Sequence, residues 1–92
     1  MPELVALRVV PVGPTYVCVD HGPGTTPVIN TVISSPTNFS GKHLRINAGK
    51  ASVGLVVNNQ RVQIPQSQLP VGYDFTPTST TTIPPLQRPC IG

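Results

Sequence analysis

Charge is the scarcest property of this chain. Of 92 residues only 10% are Asp, Glu, Lys or Arg, against about 25% in an ordinary soluble domain. Three carboxylates, Glu3, Asp20 and Asp74, are all it has, which argues against a paired catalytic acid and base. Tryptophan is absent, and two Tyr and two Phe are the only aromatics, too few for a base-stacking platform. Six cations, Arg8, Lys42, Arg45, Lys50, Arg61 and Arg88, are scattered, with a loose group only over 42–50. Nucleic-acid backbones are bound by clustered basic surfaces, so nucleic acid is not expected as a partner. The net charge of +3 reads as a solvated basic surface, compatible with anionic lipid or cell-wall polymer. No apolar run is long enough to span a bilayer, and the strand-like "PELVALRVV" follows Met1 directly, without a secretory leader. The expected object is an excised soluble domain.

What the chain does have is proline, at 12, and glycine, at 8. Proline removes a backbone donor and glycine costs conformational entropy, so long helices are disfavoured. Valine dominates the apolar residues and Thr, Ser, Asn and Gln the polar ones, a composition that suits strands. Strands are expected over 4–10, 15–20, 28–34, 44–48, 51–57, 60–64 and 71–77, with "TNFSG" as a short extended piece or loop. Together they predict an all-β, small antiparallel Ig-like sandwich of about seven strands. One domain is expected over 1–92, with a regular core over about 4–77 and an extended, Pro-rich tail over 78–92.

The stretch "LRINAGKASVGLVVNNQRVQIP" is the most informative. Leu44, Ile46 and Ala48 share one parity and Ala51, Val53, Leu55 and Val57 the other. Successive strand residues face opposite ways, so the flip demands a tight turn or bulge, placed at Gly49-Lys50. Asn58-Asn59 suits a two-residue type I′ turn, since Asn tolerates positive φ. That turn predicts Val57 opposite Gln60, Leu55 opposite Val62 and Val53 opposite Ile64, which puts the apolar residues of both strands on one face.

Cys18 and Cys90 stand 72 positions apart, outside any zinc-knuckle or CxxC spacing. Either they form a disulfide that ties the tail to an early strand, or they remain two thiols that never meet. The disulfide is favoured. A tail reading "IPPLQRPCIG" needs something to hold it, and closing so long a loop is worth roughly 4 kcal/mol on chain-entropy grounds. A disulfide in turn implies an extracytoplasmic site.

Other motifs reduce to structure. Asp20-His21 enters a turn and reads as solvated, and His43 reads as a surface residue before a strand. Cys18 has no identifiable base to make it a nucleophile. "NAGKAS" resembles a P-loop only faintly, since Leu44 stands where its first glycine belongs and no helix follows. Asn38-Phe39-Ser40 matches a glycosylation sequon, a common chance occurrence. Tyr16, Tyr73, Phe39 and Phe75 read as core or core-edge residues. No catalytic residue, cofactor or metal is expected.

Taken together, "TYVCVD", "LRINAGKASVGLVVNNQRVQIP" and "VGYDFTP" resemble the C-terminal extracytoplasmic domain of RodZ-like proteins over residues 4 to 77. Tyr16 stands where that pattern has an aromatic, often Trp. Gly49-Lys50-Ala51 stands for its G-N-A turn, and Asn58-Asn59 for its N-G turn. The Cys-bearing tail has no counterpart in the pattern. The resemblance implies a bitopic bacterial membrane protein: a cytoplasmic helix-turn-helix domain, one transmembrane segment outside this chain, and this β-domain outside the cell membrane. In such proteins the helix-turn-helix part binds the actin-like MreB and supports rod shape. For this domain it implies a non-catalytic scaffold or interaction role. The partner would be a protein or cell-wall polymer, met through an exposed strand edge, with the domain itself monomeric. The alternative is a free-standing secreted or virion structural β-module.

Overall fold

The computed structural model describes residues 4–64 and 69–90; Glu3 and the last two tail residues lie outside them. Among the described residues nine strands form in order: β1 (Val5–Pro11), β2 (Thr15–Asp20), β3 (Ile29–Ile33), β4 (Thr37–Gly41), β5 (Leu44–Ala48), β6 (Val53–Val57), β7 (Gln60–Val62), β8 (Val71–Thr76) and β9 (Ser79–Thr82). All pairings are antiparallel. A four-stranded sheet has the order β4-β1-β6-β7 and a five-stranded sheet β3-β2-β5-β8-β9. The all-β antiparallel sandwich expected from composition is therefore the observed fold.

Alternation builds the core. Val5, Leu7 and Val9 of β1 and Val53 and Leu55 of β6 point inward from one sheet. Val17, Val19, Leu44, Ile46, Ala48, Tyr73 and Phe75 point inward from the other. Phe39 packs against this core, and Tyr73 and Phe75 stack at 6.2 Å between ring centres.

Two strands exceed the expected number. β4 is the "TNFSG" piece, polar and short, so its alternation is too weak to separate it from a loop. β9 falls in the segment expected to be an irregular tail. Its sequence, Ser-Thr-Thr-Thr, has no apolar alternation, yet threonine is β-branched and pairs readily. A tight turn at Pro77-Thr78 sets Ser79 opposite Thr76, with the two hydroxyls 2.8 Å apart. Beyond it the tail makes one 3-10 turn, Pro85–Gln87.

The Asn58-Asn59 hairpin forms in the expected register, with Val57 opposite Gln60 and Leu55 opposite Val62. Both asparagines have positive φ, 50° and 68°, as a type I′ turn requires. The ladder ends at Val62, so the expected Val53–Ile64 pair does not form, although Ile64 packs against the core.

The parity flip at Gly49-Lys50 has a larger cause than a bulge. β5 belongs to the five-stranded sheet and β6 to the four-stranded one, so the turn carries the chain across the sandwich. Over the connecting residues 49–52 the inward-facing set passes from the even positions of β5 to the odd positions of β6.

Candidate functional site: an open side and a strapped face

The β6–β7 and β8–β9 hairpins lie side by side at one flank of the sandwich. Between them is an open cleft of about 510 Å³. Its walls come from residues 57–62 of one hairpin and 76–80 of the other, with Arg61 the one charged lining residue. β7 and β9 are both outermost in their sheets, so neither has a described strand paired to its outer edge. Hydroxyl, amide and backbone groups beside one guanidinium can bind an extended, hydrogen-bonding partner.

The outer face of the five-stranded sheet is quite different. Residues 83–90 run across it as a strap. The Cys18–Cys90 disulfide anchors the strap's end, and no free cysteine remains; of the two sequence readings, the bridge is the one that forms. Three of the seven residues 84–90 are proline, and each proline leaves a carbonyl with no N–H beside it. The sheet supplies the missing donors. Asn47 Nδ2 donates to Pro89 O at 2.9 Å, and Arg45 Nη1 to Gln87 O at 3.1 Å. The strap also bonds itself and β8: Arg88 Nε donates to Ile83 O at 3.0 Å and Ile83 N to Gly72 O at 3.0 Å. Gly72 is required by close approach, since a Cβ there would lie 2.5 Å from Arg88 Cγ.

Beneath the strap Asp20 is buried and ion-paired, against the expectation of a solvated turn. Arg45 Nε and Nη2 donate to its two carboxylate oxygens at 2.9 and 2.7 Å. Its Oδ1 also accepts from Gly22 N at 2.9 Å. The hydrogen bond to Asp20 is the main reason the Arg45 guanidinium is raised above its ordinary value. Burial opposes that shift, and the charges of Asp20 and Asp74 add to it. Sequence reading missed this pair because it depends on β2 lying beside β5, with Asp20 opposite Arg45. Hydropathy carries no signal for that neighbour.

His21 and His43 are not brought into a common site with Asp20. His43 is half-buried, with Nε2 2.5 Å from Asp74 Oδ1, and its ring lies against Gly22. His21 is exposed, and its ring lies against Gly41. Among the described residues no group of three or more His, Cys, Asp or Glu is placed to hold a metal ion. Asn38 and Ser40 of the sequon are exposed on β4.

The turn residues have distinct roles. Asn58 does more than permit positive φ: its N donates to Ala6 O at 2.9 Å and its Oδ1 accepts from Ala6 N at 2.8 Å. The turn thus continues the ladder along β1. Gly49 has no positive φ and is needed instead for packing. Its N donates to Tyr16 O at 2.8 Å, and a Cβ there would sit 3.3 Å from Tyr16 Cβ. Lys50 is half-exposed at the crossover. Among known proteins, no family, curated sequence or solved structure matches the chain.

Proposed function

We propose that this chain is a non-catalytic interaction and scaffold domain that works outside the cytoplasm, as the outer domain of a RodZ-like bacterial membrane protein. The observation that carries the reading is the contact between Gly49 and Tyr16. Two separate parts of the resembling pattern, the aromatic strand and the glycine turn, interlock in space as one unit. The disulfide is compatible with an oxidising, extracytoplasmic environment. No helix of the described residues is long and apolar enough to cross a membrane, so an anchor would come from sequence beyond this domain. A non-catalytic role is supported by Asp20 and Asp74, which are committed to Arg45 and His43. The docking site in this reading is the cleft between the hairpins, which suits a protein strand or a hydroxyl-rich wall polymer.

Two experiments test it. The gene upstream of the codon for Pro2 should encode a hydrophobic helix and a helix-turn-helix domain; a cleavable signal or a stop codon there would overturn the membrane-protein reading. Capture of the domain by purified cell-wall sacculi or by wall-synthesis proteins should weaken with Arg61→Glu or Thr80→Arg. Capture unchanged by either would remove the cleft as the docking site. The Cys-bearing strap, which the RodZ-like pattern lacks, favours a second reading, a free-standing secreted or virion structural module.

A further inference from the structure

Four strands border the two sheets: β4 and β7 in one, β3 and β9 in the other. Exposed edges invite pairing, and proteins discourage it with short strands, prolines and charges. β7 is three residues long, and β9 lies between Pro77 and Pro84 and is polar throughout. β3 is unlike them. It sits in a run, residues 22–41, without a single Asp, Glu, Lys or Arg. It is β-branched at four of its five positions, Ile29-Asn30-Thr31-Val32-Ile33. Val32 is 55% exposed, and Val28, just before the strand, is 53% exposed. Tyr16 Oη and Asn30 Oδ1, 2.6 Å apart, pin the middle of β3 to β2, and no described strand pairs with its other edge.

The order of residues in β3 points to what covers that edge. An antiparallel pair of identical strands has a two-fold axis, so its sequence must complement itself when reversed. Centred on Thr31, β3 does so. Ile29 falls opposite Ile33 of a second copy, Thr31 opposite Thr31, and Asn30 opposite Val32. Threonine pairs and β-branched aliphatic pairs are favourable across strands, and no like charges meet in the strand. β4, also uncharged, reads Thr-Asn-Phe-Ser-Gly and sets Thr against Gly when reversed, and β9, uncharged too, is bracketed by Pro77 and Pro84.

We propose that β3 is a self-association edge. Two copies pair antiparallel along Ile29–Ile33, and the two five-stranded sheets join into one continuous sheet. This departs from the single-copy state expected from sequence, and it stands independently of the RodZ-like reading, since a tethered scaffold and a free module would present the same edge.

Sedimentation equilibrium on the whole chain tests it. The apparent mass should rise with concentration from the 9.7 kDa of one chain towards twice that value. Thr31→Lys should hold the protein at the single-chain mass while leaving its circular dichroism unchanged. Thr31→Cys should oxidise in air to a covalent dimer, whereas Ser40→Cys on β4 should not. An equimolar mixture of Asn30→Lys and Val32→Glu should associate more tightly than either variant alone, because the register sets the new lysine opposite the new glutamate. A wild-type mass that stays single at every concentration would overturn the proposal. So would a dimer that persists in Thr31→Lys and links as readily through Ser40→Cys.

Discussion

The two sheets share one core, but their outer faces differ. On the four-stranded sheet Ala6, Arg8, Asn38 and Ser40 are exposed, the ordinary outcome for an antiparallel sheet with one wet side. On the five-stranded sheet Cys18, Asp20, Arg45, Asn47 and Gly72 occupy corresponding outward positions and are all buried. Every residue of β5 is buried in consequence. Two-sided burial of a strand usually shows as a continuous hydrophobic run. Here the second side is covered by a proline-rich strap, whose carbonyls need donors, so the residues beneath it are an arginine and an asparagine. A buried face can be written in polar residues when its cover is made of backbone acceptors.

Opening the disulfide should have the largest effect on this contrast. Reduction, or Cys18→Ser with Cys90→Ser, is expected to cost about 4 kcal/mol from the loop it closes, read as a fall in the urea midpoint. A midpoint unchanged by thiol would mean that the strap holds without its covalent end. Asp20→Ala should cost about 3 kcal/mol, because it leaves the Arg45 guanidinium buried without its carboxylate; equilibrium denaturation measures this, and a loss below about 1 kcal/mol would show water replacing the partner. Asn47→Ala removes the donor to Pro89 O and should cost about 1–2 kcal/mol, with faster amide exchange confined to the strap and its neighbours.

A smaller effect concerns the core side of the same sheet. Burial raises the Tyr73 phenol above its ordinary value, partly offset by the charge of Arg88. The folded state therefore holds this proton more tightly than the unfolded chain. Its contribution is complete below the unfolded value near 10 and is lost as pH rises through the folded one. Stability should fall with alkali more steeply in the wild type than in Tyr73→Phe, and parallel pH profiles would refute the assignment. At the bottom of the scale, Arg8→Ala on the bare face should change stability by less than about 0.5 kcal/mol. A larger loss would show that this face, too, has a cover.

This ordering tracks how much of the molecule could be read in advance. The inward sets Leu44-Ile46-Ala48 and Val53-Leu55 were legible because period-two alternation reports burial on one side. The hairpin register was legible because Asn58-Asn59 fixes both the turn and the pairing. The disulfide followed from the need to hold the tail. The assignment of β5 and β6 to different sheets was not legible, because a parity flip looks the same for a bulge and for a crossover. Nor was the salt bridge, since Asp20 and Arg45 meet only through strand order. The cleft was hidden for a similar reason: residues 57–62 and 76–80 become neighbours only once the two hairpins are stacked.

The bridge between Cys18 and Cys90 also fixes how the domain would bear a load. A pull applied beyond its two ends passes from residue 18 to residue 90 through two sulfur atoms and bypasses everything between. The chain from Cys18, midway along β2, to Cys90 forms a closed covalent ring that holds β3 through β9 and that tension on the termini cannot unravel. β1 and the first half of β2, Thr15 to Val17, lie outside the ring; β1 sits between β4 and β6, and β2 between β3 and β5. The domain behaves mechanically as a short extensible leader ending in an inextensible knot, and the force it withstands before lengthening is set by the shear strength of β1 and the first half of β2.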